Sequence, residues 1–585
     1  MQHRVLAFVP VVLAALIASA PAVAARADAC PAALTCTTVT VPIDRSGTVP
    51  GTIPLHVEEL PAKGTPRGAV FLVAGGPGQG SAEAYDLGSP TQAEWLRFLY
   101  PGYTLVSYDD RGTGRSDALD CPALDTASSS DDEAVVAGQC AAQLGPAASF
   151  YSTADHAADL DAVRQALGFD RIVVSGVSYG TKLALAYAAA YPQHVERLVL
   201  DSIVAPTQPD PFAANVARAL PATLAHYCAG GLCSQATPSY PADVVALVNR
   251  FGATSATRET ALMLLRIIID SDLDPGLAAE LPAAVHAARG GDIRPLVHVM
   301  LLDGSSEVSS PEDFSEANYI ATSCDDQPFP WDPSTPFAER DASLQAALDA
   351  MPAGAFGPFG TWAGELGNAD LCTDWPTPVS DVPPVPAALP DVPVLAFSGG
   401  LDLRTPTSDA AAVVARFPQG HLVVVPGVGH SVLTADPSTC SALALRNWIS
   451  GNLTPAATCP RSKPYVAPLA AFPGAHATRH DAASTKTLVT QTLREAEAVW
   501  LATSGLSGSK ARLPGLRGGH VVETRDGFTL VGYSIAPGVA VNGTVRIAKL
   551  GPPIVLSGTV HVVGADAAHG ALTFRAGTLT GRLAA

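Results

Sequence analysis

Short apolar runs that end in glycine-rich or acidic loops recur through the first third of the chain. Residues 69–73 lead into Gly-Gly-Pro-Gly, 103–108 lead into Asp109-Asp110-Arg111-Gly112, and 171–175 lead towards a helical stretch at 181–191, with a fourth run at 197–201. Runs of this length bounded by turn residues read as buried strands. Strands alternating with helices predict a parallel sheet with helices on its faces. From 211 to 385 the pattern becomes helical, as at 244–250 and 260–269, with Pro-rich connections, which predicts a helical lid inserted into the α/β pattern. Strand character returns at 392–397 and 421–425, followed by a helix at 441–449. Apolar positions 489, 493, 496 and 500 then mark one face of a helix. Runs at 521–523, 528–535, 545–550, 554–563 and 572–579 predict a small Gly-rich β unit, with hairpin turns at Asp526-Gly527 and Asn542-Gly543. The expected organisation is a leader at 1–25, an α/β core in two parts at 26–210 and 386–464, a lid at 211–385, and a helix plus β unit at 465–585.

At 585 residues the chain exceeds one ordinary core. Its 48% hydrophobic and 15% charged residues are a globular balance. A net charge of −19 argues against a nucleic-acid partner, since nothing would neutralise phosphates. His3 and Arg4, the apolar stretch 5–18 and Ala22-Val23-Ala24-Ala25 read as an export signal. The apolar stretch is short for a membrane span and no later one reaches that length, so integral membrane association is not expected. Ala27-Asp28-Ala29 before Cys30 is a poor lipidation signal. The chain is therefore expected outside the cell, secreted or held at its surface. Ten cysteines follow: Cys30, Cys36, Cys121, Cys140, Cys228, Cys233, Cys324, Cys372, Cys440 and Cys459. An even count in an exported chain predicts disulfides. Neighbour pairing (30–36, 121–140, 228–233, 324–372, 440–459) is the simplest scheme because short loops close most readily. With no C-x-x-C and no H-E-x-x-H, no metal is expected.

Gly176-Val177-Ser178-Tyr179-Gly180 fits the G-x-S-x-G turn that lifts a serine hydroxyl between a strand and a helix. Glycines flank the serine because side chains there would strike neighbouring backbone. A hydroxyl is a poor nucleophile until a base takes its proton. His430 follows the 421–425 strand through Pro426-Gly427-Val428-Gly429, whereas His421 opens that strand and reads as structural. Asp402 follows the 392–397 strand and is placed to hold the imidazole tautomer; Asp391 precedes that strand and lies at the opposite edge. Oxyanion donors are expected from the backbone N–H groups of Gly76 and Tyr179. The mechanism needs only side chains and water, so no cofactor is implied.

The motifs Gly-Gly-Pro-Gly at 75–78, Asp110-Arg111-Gly112-Thr113-Gly114-Arg115-Ser116, Gly-Val-Ser-Tyr-Gly-Thr at 176–181, Leu401-Asp402 with Arg404-Thr405-Pro406, Gly-Val-Gly-His at 427–430 and, in the lid, Ala321-Thr322-Ser323-Cys324-Asp325 resemble the tripeptidyl aminopeptidase/proline iminopeptidase group of α/β-hydrolases. The likeness spans about 35–460 and leaves the tail uncovered. Ala74 departs from the pattern, many relatives having His there. The resemblance implies the α/β-hydrolase fold and exopeptidase action on peptides with a free N-terminus. Recognition of an α-amine calls for lid carboxylates, for which Asp325 and Asp326 are candidates. Asp110 and Arg111 read as braces beneath the site. Two other readings remain: a carboxylesterase using the same three residues, and a surface-binding protein with a relict core whose tail contacts cell-wall polymer.

Overall fold

The computed structural model describes residues 30–127, 132–205, 210–303, 310–326, 329–378, 389–451, 455–503, 512–549 and 551–584. The leader expected at 1–25 lies outside the described residues. Eight strands form the central sheet: β1 (Thr35–Pro42), β2 (Thr52–Leu60), β3 (Ala69–Val73), β4 (Thr104–Tyr108), β5 (Ile172–Val177), β6 (Val195–Asp201), β7 (Val394–Gly399) and β8 (Gly420–Val425). Their order is β1-β2-β4-β3-β5-β6-β7-β8, with β1 and β2 antiparallel and every pair from β4 to β8 parallel. β3 and β4 are buried along their whole length, as expected of strands covered by helices on both faces. β1 and β2 extend the sheet beyond the strands read from sequence. β2 buries Ile53, Leu55 and Val57 alternately, the signature of a strand with one wetter face.

After β6 the chain leaves the sheet and returns at β7. The helices Ala214–Tyr227, Tyr240–Gly252, Ser255–Asp270, Pro275–Arg289, Arg294–Asp303, Glu316–Asp326 and Phe337–Asp349 fill the interval. Within it the Cys324–Cys372 disulfide, of sequence separation 48, clamps two distant stretches. A closed loop of that size is worth about 4 kcal/mol in lost chain entropy. All five disulfides join sequence neighbours: 30–36, 121–140, 228–233, 324–372 and 440–459.

The tail begins with the helix Ala482–Thr503 and continues as a seven-stranded antiparallel meander in chain order, β9 (Arg512–Pro514), β10 (His520–Thr524), β11 (Gly527–Ala536), β12 (Val539–Lys549), β13 (Val555–Val563), β14 (His569–Arg575) and β15 (Thr578–Thr580), with β16 (Leu583–Ala584) pairing β14. The expected turn at Asn542-Gly543 is corrected. Both residues lie inside β12, where Gly543 pairs with Leu530 and Val560. The buried alternation of Val539, Val541 and Val545 runs straight through the pair, and that burial overrides its local turn preference. The long run expected at 572–579 is likewise broken, at Ala576-Gly577, both with positive φ. The helix packs on β11 on one side and on the lid helix Pro275–Arg289 on the other. Gly276 permits that approach, because a Cβ there would overlap the Ala498 carbonyl.

Candidate active site

Ser178 stands between β5 and the helix Tyr179–Ala190 with φ 55° and ψ −124°. A non-glycine residue held there stores about 1–3 kcal/mol of strain. The flanking glycines make the turn feasible: a Cβ at Gly176 would strike the Gly180 carbonyl, and one at Gly180 the carbonyls of Val73 and Ala74. The Ser178 N–H donates to the Asp201 carbonyl at 2.9 Å, which ties the turn to the end of β6.

Asp402 lies on the loop after β7. Its Oδ1 accepts from Thr405 N (2.7 Å) and Arg404 N (3.0 Å), and its Oδ2 from Thr405 Oγ1 (2.7 Å). The same Oδ2 meets His430 Nδ1 at 3.0 Å. His430, on the loop after β8, is 4% exposed. Burial opposes charge on His430, but the Asp402 hydrogen bond and the charges of Asp402 and Asp272 outweigh it and raise its pKa above the ordinary imidazole value. Burial likewise works to raise Asp402, yet its bonds to His430 and Thr405 hold its pKa below the usual carboxylate range. Among the described residues the His430 ring bonds to Asp402 and Thr405, with no hydrogen bond to Ser178 Oγ.

Two further carboxylates shape the site, and sequence reasoning missed both. Asp272, from the lid loop between Ser255–Asp270 and Pro275–Arg289, accepts from Leu403 N (2.8 Å), Arg404 N (3.2 Å) and Arg404 Nε (3.0 Å). Its backbone carbonyl accepts from His430 N at 3.2 Å. Burial, reinforced by the charge of Asp402 and opposed by Arg404, pushes Asp272 up to about 6. Asp201, at the end of β6, accepts from Val432 N (2.9 Å) and Leu433 N (2.8 Å), while Ser202 Oγ accepts from Ser431 N (2.9 Å). The loop carrying His430 is thereby hung on the strand beside Ser178. The position of Asp201, at the carboxyl end of a parallel strand, was a usable signal. Asp272 gave none.

Ser178, Gly76, Pro77 and Tyr179 line a cavity of about 410 Å³, roofed by the lid residues Tyr319 and Asn368. His430 and Asp272 line a neighbouring, more apolar cavity of about 340 Å³, shared with Leu273, Tyr227, Tyr465 and Val466.

Residues 68–225 match the family model described as the α/β hydrolase fold, and residues 359–459 match the model described as TAP-like protein. The chain is a serine hydrolase of the α/β-hydrolase fold. The second model covers both the Asp402 and the His430 loops. Among curated relatives, serine protease Hip1 of Mycobacterium tuberculosis is 26% identical over 481 residues, covering 73% of this chain and 86% of that protein. The tripeptidyl aminopeptidase of Streptomyces coelicolor is 30% identical over 198 residues, 30% of this chain and 36% of the relative. Carboxylesterase B of Mycobacterium tuberculosis is 27% identical over 464 residues, 72% of this chain and 85% of the relative.

In this hydrolase Gly75 abuts the serine, a Cβ there lying 3.1 Å from Ser178 Cβ and 3.6 Å from its Oγ, so the backbone at Gly75 passes close to the hydroxyl. Tyr179 opens its helix, where a backbone N–H has no intrahelical acceptor. Its ring is structural, with the hydroxyl bonded to His156 Nδ1 (2.8 Å) and Thr153 Oγ1 (3.0 Å). Of the two lid carboxylates, Asp325 is corrected. It does not reach the cavity, because its oxygens accept from Tyr151 N (3.1 Å) and Trp375 Nε1 (3.0 Å) in the interior. Asp326 does line the cavity, paired with Lys182 Nζ at 2.8 Å and with Thr153. Arg111 is fully buried and bidentate to Asp159 (2.7 and 2.8 Å), and its backbone carbonyl accepts from Asn318 Nδ2 of the lid (2.9 Å). Asp272, Asp402 and His430 bring possible ligand atoms within 4.8 Å of one another, but the hydrogen bonds above occupy both carboxylates.

Proposed function

We propose that this serine hydrolase is an exopeptidase that removes short N-terminal pieces from peptides through an acyl-enzyme on Ser178. In this reading His430 takes the Ser178 proton and returns it to the leaving amine, while Asp402 holds the imidazole tautomer and stabilises its cation. The backbone N–H groups of Gly76 and Tyr179 receive the oxyanion. Water then releases the acyl group by the same steps in reverse order. The observation that carries the reading is the roofed cavity over Ser178 with Asp326 on its wall. A pocket of that size holds a drug-sized molecule, a tripeptide rather than a loop of a folded protein. Asp326, whose charge is shared with Lys182, and Asp409 are the acidic groups of this wall that would receive a free α-amine.

The neighbouring apolar cavity against His430 favours a second reading, an esterase that lays an acyl chain there. One substrate panel separates them: tripeptidyl and aminoacyl amides with free and with acetylated N-termini, beside short- and long-chain esters. The exopeptidase reading expects kcat/KM to fall at least about 100-fold on acetylation, a loss of about 2.7 kcal/mol. It also expects Asp326→Asn to narrow that ratio by raising KM for the free peptides. Ser178→Ala should remove both turnover and labelling by a fluorophosphonate. Equal rates on free and blocked peptides, with faster ester turnover, would establish the esterase.

Five disulfides fit an oxidising compartment, and in our reading the chain works outside the cytoplasm. Contact of the tail with wall polymer is supported by a row of threonines on the outer face of its sheet. Thr529, Thr544, Thr559, Thr573 and Thr580 stand directly opposite one another across β11 to β15. The strands are spaced about 4.8 Å apart, with the hydroxyls of Thr529 and Thr544 at 3.5 Å and those of Thr559 and Thr573 at 3.2 Å from each other, a regular array for a repeating hydroxylated polymer.

A further inference from the structure

Away from the candidate active site, three helices meet at a buried polar cluster that the proposed chemistry does not use. Glu280 of Pro275–Arg289, His298 of Arg294–Asp303 and Glu495 of Ala482–Thr503 bring two carboxylate oxygens and an imidazole nitrogen within 4.8 Å of one another. Glu280 and Glu495 are 0% exposed and His298 is 4% exposed. None of the four carboxylate oxygens has a hydrogen-bond partner, and neither does His298 Nε2. His298 Nε2 and Glu495 Oε1 are 3.2 Å apart without hydrogen-bond geometry between them. Buried polar groups in folded proteins nearly always find partners. Five such atoms are left without one, and one from each of the three residues lies within 4.8 Å of the others, an arrangement that suits a bound ligand.

We propose that Glu280, His298 and Glu495 bind a divalent transition-metal ion of the zinc or manganese type, which staples the lid to the C-terminal unit. Carboxylate and imidazole bonds to such an ion run about 2.0–2.2 Å, so two ligand atoms on one ion stand at most about 4.4 Å apart. The three ligand atoms already lie within 4.8 Å of one another, and side-chain movement draws them onto the ion. Two oxygen donors and one imidazole suit zinc or manganese rather than the soft, thiolate-seeking metals. A divalent charge also balances two carboxylates that would otherwise be buried uncompensated. The buried Tyr533 hydroxyl of β11 lies within reach of Glu495 and feels its charge and that of Glu280, which makes it a neighbour for a fourth position. A cavity of about 350 Å³ lined by Gln235, Gln491 and Arg494 reaches Glu495 and supplies the way in.

The test uses the full chain, purified without chelator and dialysed, with metal content read by elemental mass spectrometry. Close to one equivalent of metal per chain is expected. Chelator should lower Tm, zinc or manganese should restore it, and cobalt(II) added to the stripped protein should give visible ligand-field bands. Glu280→Gln and His298→Gln should each weaken metal affinity by about 100-fold or more. A wild-type chain that takes up no stoichiometric zinc, manganese or cobalt overturns the proposal. So does metal held equally by both variants, which would place it elsewhere. A metal-free wild type made more stable by Glu280→Gln would instead identify a pair of carboxyl groups sharing protons. If neither variant folds, the wild-type metal content and cobalt spectrum decide alone.

Discussion

Two negative charges bear on His430, one from the core and one from the lid, and only the first belongs to the expected catalytic set. Both favour the imidazolium against the burial that opposes it. A base must be neutral to accept a proton, so the sign is clear: kcat/KM should climb as pH rises through a value above the usual imidazole pKa of about 6.5. Asp272→Asn removes the lid's share and should move that acid limb to lower pH, by on the order of one unit. A pH–rate profile of the two proteins checks this, and an unmoved limb would show that Asp272 acts only as a scaffold. The residues legible in sequence were those whose backbone announces them. Ser178 lies between glycines that a side chain could not replace, and His430 follows a Gly-Val-Gly turn in which a Cβ at Gly429 would meet the Asp272 carbonyl. Asp272 itself sits in an unremarked lid turn, and its role arises only when that turn folds against the Asp402 loop. Asp325 and Asp326 are adjacent on one helix and point about 100° apart, so sequence could not tell which of them faces the cavity.

The short helix Val432–Ala435 after His430 is too small to hold itself in place, and Asp201 caps it from another strand. Asp201→Ala would leave two N–H groups without acceptors, at about 1–3 kcal/mol each where they are buried. Reduced Tm is expected together with a kcat loss of about tenfold or more, a misplacement effect. Asp201→Asn, which keeps one acceptor oxygen, should recover part of both. Unchanged kcat in a destabilised Asp201→Ala protein would show that the loop holds its position without the cap. The parallel strands were readable because apolar runs of five or six residues, each closed by a loop, have few other uses. β1 was not, since its burial pattern is mostly exposed and carries little hydrophobic signal. Asn542-Gly543 misled for the opposite reason, a strong local turn preference overruled by the neighbours that β12 pairs with.

Core, lid and tail share one continuous apolar interior. Leu469 N donates to the Ala279 carbonyl of the lid at 2.9 Å, and Ile554 N to the Tyr465 carbonyl at 3.0 Å. The tail helix buries Leu488, Val489, Leu493 and Val499. Uncovering the surfaces they pack on would cost about 1.5–3 kcal/mol per large side chain. A chain ending at residue 464 is therefore expected to aggregate or to melt at least about 10 °C lower, as circular dichroism would show. An unchanged melting curve would make the tail an independent domain. This union was invisible in sequence, since it rests on contacts such as that of Gly276 with Ala498, far apart in the chain. The interruption of the sheet by the lid also fixes an order of events during synthesis. The ribosome delivers Ser178 long before the loops bearing Asp402 and His430. On the proposed assignment, a chain halted anywhere earlier would hold a hydroxyl with nothing to take its proton, and the enzyme would stay inert until most of it exists.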